Sequence, residues 1–128
     1  MSEEILIIDP ENNYNSEDGF HVLPSQLSWL KVIQKNSFDR VIIRNTPSSI
    51  LSHKIFFYIN KLLKQNCICE VYVSQKIGVL QDLDAQELES NAKLGKFVSI
   101  ENSPYEKFVV VDGKDVKLKT IRLTMMKD

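Results

Sequence analysis

A chain of 128 residues fits one domain of common size, long enough to bury a core without disulfide or metal staples. A hydrophobic fraction of 43% beside 26% charged residues excludes a disordered chain. The net charge of −1, from 16 basic and 17 acidic residues, lacks the basic excess that drives phosphate binding.

The elements follow in chain order. Ile5-Leu6-Ile7-Ile8 is a continuous apolar, β-branched run that suits a strand buried on both faces, and Asp9-Pro10 ends it. Residues 11–19 read as a polar loop, and His21-Val22-Leu23 as a short second strand. Pro24-Ser25 opens a helix capped by Ser25, with Leu27, Leu30 and Val32 or Ile33 on its apolar face. Phe38 to Ile43 is another buried strand. The spacing of Leu51, Ile55, Ile59 and Leu62 predicts a helix over 50–64, its apolar face widened by Phe56, Tyr58 and Leu63. Cys67 to Val73 gives a further strand. Asp82 to Leu94 reads as a helix, with Gly95 placed for a left-handed cap. Beyond it come a strand at 97–100, a turn at Asn102-Ser103-Pro104 and a strand at 107–111. Asp112-Gly113 then signals a two-residue hairpin. In the last strand Val116 and Leu118 alternate in one phase and Ile121 and Leu123 in the other, which implies a bulge or strand end near Thr120.

Strands alternating with helices and followed by antiparallel strands imply one α/β domain over 1–128 with a sheet that is parallel in its first part. Two stretches add a resemblance. Ser37-Phe38-Asp39-Arg40-Val41-Ile42-Ile43, the helix ending Ile59-Asn60-Lys61-Leu62-Leu63-Lys64 and the strand after it resemble the later half of a class I methyltransferase. That family carries "FD" followed by apolar residues at its fourth strand, then a helix ending in "LLKPGG". Glu87 to Val98 is similar to the family's step into its sixth strand. The resemblance spans residues 37–112 and implies a three-layer, Rossmann-like sandwich with a mostly parallel sheet and an antiparallel C-terminal hairpin. Two departures stand out: Gln65-Asn66-Cys67 replaces the "PGG" turn, and the chain before it is short for a complete enzyme. Within the superfamily the chain is similar to the N-terminal domain of the anamorsin family, cytosolic iron–sulfur assembly adaptors. That resemblance implies an oxidoreductase partner, with clusters carried elsewhere.

A nucleotide or S-adenosylmethionine site after the first strand needs glycines for a tight turn and close backbone approach. None of Gly19, Gly78, Gly95 and Gly113 follows Ile8 directly; the chain reads Asp9-Pro10-Glu11-Asn12-Asn13-Tyr14, with an acid at the strand end and no glycine turn. No cofactor is therefore expected. Cys67 and Cys69 share a strand face but find no third and fourth zinc ligand in the spacing of His21 and His53, so both read as core and no metal is expected. Ser52-His53 is not a nucleophile–base pair, because adjacent residues do not converge as a triad does. The carboxylates Asp82, Asp84, Glu87 and Glu89 suit the first turns of a helix, complementing its dipole.

Phe56-Phe57-Tyr58 cannot all face one side of a helix, so Phe57 or Tyr58 turns outward as a candidate interface. Trp29 is a further aromatic that could join such a surface. Lys114, Lys117, Lys119, Arg122 and Lys127 form a local basic cluster, and Lys117, Lys119 and Arg122 join the candidate interface.

The expectation is a non-catalytic scaffold domain docking a protein partner in a larger complex. One alternative is a small transferase subunit that completes its site with a partner. Another is a nucleic-acid-associated subunit using the basic hairpin. The acidic start and the lack of any apolar run near the roughly 20 residues that span a bilayer place the expected protein in the cytoplasm or nucleus, away from membranes.

Overall fold

The computed structural model describes residues 3–9, 19–44, 46, 50–74 and 85–128, with backbone alone at 74, 85, 104–107, 118 and 119. Strands β1 (Ile5–Ile8), β2 (Phe20–Val22), β3 (Phe38–Arg44), β4 (Leu63–Ser74), β5 (Phe97–Val111) and β6 (Lys114–Lys127) form one sheet in the order β2-β1-β3-β4-β6-β5. The first four run parallel, and β6 pairs antiparallel with both β4 and β5. Helices α1 (His53–Leu62) and α2 (Ala85–Leu94) and a 3-10 segment (Pro24–Lys31) complete the described elements. The chain is thus an α/β protein with a mostly parallel sheet and an antiparallel C-terminal hairpin.

Strand parity assigns the core. Leu6, Ile8, Val41, Ile43, Cys69, Val71, Leu123 and Met125 alternate toward one face and join a single buried cluster with Leu30, Phe56, Ile59, Leu88 and Ala92. That cluster draws on all three helical elements, so the described helices cover the same face. The opposite face carries the other parity. Ile7, Ile42, Glu70 and Thr124 form one row across four strands, and Arg44, Tyr72 and Arg122 form the next.

Local chemistry sets the boundaries. The Ser52 hydroxyl accepts from the Ile55 amide at 3.4 Å, so α1 starts after Ser52 rather than at residue 50. The segment after Pro24 is a 3-10 helix, and its entry is held by Gln26, whose Oε1 accepts from the Leu23 amide at 3.1 Å; Ser25 does not cap it. Of the two residues expected on its apolar face after Leu30, Val32 stands 85% exposed and Ile33 packs against the core. The cap after α2 also differs from expectation. Lys96, not Gly95, takes the left-handed conformation, at φ 75°.

The turn expected at 102–104 is absent, because β5 runs unbroken from Phe97 to Val111. It is an edge strand, where a proline costs no ladder bond to a further neighbour. Its irregularity lies earlier. Three steps on β5 from Val98 to Glu101 match two on β6, with Ser99 at φ 52°, the geometry of a bulge. The phase change near Thr120 has another cause. Among the described residues pairing of β6 with β4 ends at Ser74 and Thr120, and residues 114–119 pair with β5 alone. Asp112 and Gly113, both at positive φ, close it as expected.

Candidate functional site

In an open α/β sheet, ligands bind outside the carboxyl ends of the strands where the chain order reverses. Here β2 lies on one side of β1 while β3 and β4 continue on the other, so the reversal falls between β1 and β3. Asp9 follows the last residue of β1, and Thr46 stands two residues past β3. Both are enclosed, at 0% and 2% exposure. The Asp9 amide donates to the Val22 carbonyl at 3.3 Å, and its own carbonyl accepts from His21 Nε2 at 2.9 Å. The Thr46 hydroxyl donates to the Arg44 carbonyl at 3.1 Å. Asp9, His21 and Thr46 therefore lie at the strand ends that flank the switch point, with His21 reaching the Asp9 backbone carbonyl and Thr46 turned back to Arg44. Sequence reasoning noted the acid at the end of β1 without assigning it a ligand; His21, weighed there only as a zinc ligand, meets the Asp9 carbonyl through the parallel register of β1 and β2.

A second polar group sits on the sheet face opposite the described helices. Glu70, 3% exposed, accepts from Arg40 Nε at 2.8 Å, from Arg40 Nη2, and from the Tyr72 hydroxyl at 2.6 Å. The Arg44 and Arg122 guanidinium groups each lie 5.7 Å from the centre of the Tyr72 ring. Burial and the hydrogen bond to Glu70 push the Tyr72 phenol above its ordinary range.

The candidate interface residues separate. Phe57, 37% exposed, and half-buried Tyr58 lie on α1, while Phe56 beside them is part of the core. Lys61 sits 4.5 Å over the Phe57 ring and Lys31 5.6 Å over the Tyr58 ring. Arg122 is on the opposite sheet face, whereas Lys117 is exposed on the C-terminal hairpin; Lys119 contributes described backbone only. Trp29 is 51% exposed on the 3-10 segment. Of the residues weighed for chemistry, Asp82 and Asp84 lie outside the described residues. His53 is exposed at the start of α1, and Cys69 is fully buried. No three metal-binding side chains converge among the described residues. Among those residues no helix is long and apolar enough to cross a membrane.

No family model and no curated protein matches the sequence. The fold has solved neighbours. An S-adenosylmethionine-dependent methyltransferase from Archaeoglobus fulgidus matches 98% of this chain and 86% of its own, at a TM-score of 0.67 and 9% identity. A possible histamine N-methyltransferase from Thermotoga maritima matches 100% of this chain and 84% of its own, at 0.63 and 9%. The phosphoethanolamine N-methyltransferase 2 of Haemonchus contortus matches 98% of this chain and 49% of its own, at 0.64 and 13%. The chain therefore has the methyltransferase-type fold. The expectation of a non-catalytic domain is corrected by this likeness, since the solved neighbours that share the fold are methyltransferases. The narrower resemblance to the anamorsins gains no support from them.

The fold implies S-adenosylmethionine, and the described residues do not fit that group by themselves. Asp9 and Thr46 are already enclosed. Gly19, at φ 146°, spends its freedom elsewhere: a Cβ there would stand 2.5 Å from the Ile5 carbonyl oxygen, at the start of β1 and away from Asp9. No glycine lies between Ile8 and Gly19 to let backbone approach a nucleoside.

Proposed function

We propose that this chain is a subunit of a methyltransferase-type transferase whose nucleoside crevice, outside Asp9, His21 and Thr46, is completed by a partner chain. The observation that carries the proposal is the buried carboxylate at the end of β1, held at the switch point of a methyltransferase-type sheet whose own sequence lacks the glycine turn. The acid at the end of β1 is suited to the hydroxyl groups of a nucleoside once docking of the partner uncovers it; the Thr46 hydroxyl is turned to the Arg44 carbonyl, and the missing backbone cradle must come from the partner.

The test uses the tagged chain at its natural level, with the co-purified complex supplied with tritiated S-adenosylmethionine. Methyl transfer by the complex, absent from the isolated chain and lost with Asp9→Asn, supports the proposal. A complex that neither retains nor turns over the labelled compound overturns it. An isolated chain that binds the compound stoichiometrically removes the need for a partner.

A further inference from the structure

The 3-10 segment and α1 enclose a cleft at the opposite end of the sheet from the crevice. Its location is set by two backbone hydrogen bonds just before β3, Asn36 to the Lys61 carbonyl at 3.0 Å and Ser37 to the Leu62 carbonyl at 2.9 Å. The cleft has a volume of about 270 Å³. Leu30, Ile33 and Leu62 form an apolar floor, and Tyr58 with Lys31, Lys35 and Lys61 forms the rim. Among the described residues no carboxylate lines it. A fourth amine lies nearby: Lys127 Nζ donates to Asn36 Oδ1 at 3.0 Å and to the Leu63 carbonyl at 2.7 Å.

We propose that this cleft docks an acidic peptide segment of a protein partner, one apolar side chain entering the cavity and flanking carboxylates meeting Lys31, Lys35 and Lys61. The volume falls below the roughly 300–1,000 Å³ of small-molecule pockets and suits a single large side chain. The three lysines select for negative charge, and two of them already lie over aromatic rings, which limits the conformational freedom lost on binding. A second copy docked face to face about a two-fold axis would oppose lysine to lysine. A nucleic acid would need positive charge well beyond one cleft, and the chain as a whole carries −1. The site does not depend on the transferase proposal, because a peptide seated here leaves the switch point open.

The probe is a short fluorescent peptide of glutamates around one tryptophan, titrated into the full chain and followed by anisotropy and backbone NMR. Expected are saturable one-to-one binding, shifts confined to residues 30–35 and 58–62, and an affinity at least roughly tenfold weaker in Lys31→Glu/Lys61→Glu. Peptides with glutamine for glutamate, or alanine for tryptophan, bind more weakly. Should the double variant fail to fold, Lys35→Glu at an exposed position outside any helix replaces it. Absent binding, unchanged affinity in the variants, shifts elsewhere, or displacement of the peptide by a more tightly bound single-stranded RNA overturns the proposal.

Discussion

Arg40 on β3 and Glu70 on β4 meet through two hydrogen bonds to one carboxylate oxygen, while the Tyr72 hydroxyl donates to the other. The carboxylate side chain is 4% exposed and the guanidinium side chain 33%, so the acid is sheltered and the base reaches out to water. A buried carboxylate is costly unless it is hydrogen-bonded, and three donor contacts reach it here, two on one oxygen and one on the other.

This arrangement has a pH signature. Burial acts to raise the Glu70 pKa, but the hydrogen bonds from Tyr72 and Arg40 and the positive charge of Arg40 and Arg122 outweigh it, and the group titrates below its ordinary value. Stability from the pair is fully present above the unfolded glutamate value of about 4.3 and is lost as pH falls through the lower folded value. Asp39 acts in the same direction, lowered by the Glu4 amide and by Lys64. Glu70→Gln is expected to cost about 1.5–3 kcal/mol at neutral pH, the value of hydrogen bonds to a charged group. The gap from the parent should narrow in urea titrations run in acid, and a gap independent of pH would refute the account.

Gly95 and Lys96 make opposite predictions at adjacent positions. A Cβ on Gly95 would stand 2.6 Å from the Phe56 Cβ and 2.9 Å from backbone atoms of Phe56 and Phe57. Gly95→Ala therefore forces α2 away from α1 and is expected to cost about 1–3 kcal/mol, as overpacked cores do. Lys96 already bears the strain of a left-handed backbone at φ 75°. Lys96→Gly relieves it, and after glycine's added entropy cost the net gain is about 0.5–1 kcal/mol. Thermal unfolding of the two single variants measures both signs.

The contrast also shows what could be read in advance. A glycine at the end of α2 was visible, but its reason was not, because the approach of Phe56 depends on how two helices pack. The buried strands β1, β3 and β4 were legible as continuous apolar runs, and the hairpin from Asp112-Gly113. The length of β5 was not, since Asn102-Ser103-Pro104 carries a strong local turn signal that edge pairing with β6 overrides. At the switch point the acid Asp9 was visible, but its contact with His21 was not, because that depends on the register of β1 and β2. The lysine cleft was equally hidden: Lys31 and Lys35 meet Lys61 only where the 3-10 segment crosses α1. The missing glycine turn was legible, yet it bears on how a ligand would be held and does not decide whether the fold is enzymatic.

The two cysteines should differ sharply in reactivity. Burial pushes the Cys69 thiol far above its ordinary range, and the adjacent Glu70 charge adds to the shift. Since the thiolate is the reactive species, Cys69 is expected to resist maleimide in the folded chain. Cys67 is partly exposed at the edge of the same core and should label first. Peptide mass spectrometry of a timed labelling reaction distinguishes them; equal rates in native buffer would mean that Cys69 is not enclosed.

Asn60 is the one described residue whose buried side-chain nitrogen, Nδ2, has no acceptor, and the residue is only 9% exposed. It sits on α1 next to Ile59, on a helix whose remaining buried positions are apolar. An unsatisfied buried donor costs about 1–3 kcal/mol, and replacing it with an apolar group of similar shape removes that cost. Asn60→Leu should therefore raise the unfolding free energy by about 1 kcal/mol, with part of the benefit lost to fitting the larger side chain. Asn60→Asp should lower it by more, since it leaves a charge enclosed without a partner. Urea unfolding of the two variants is the measurement. A destabilised Asn60→Leu would mean that the amide makes a bond worth more than burying the leucine side chain in its place.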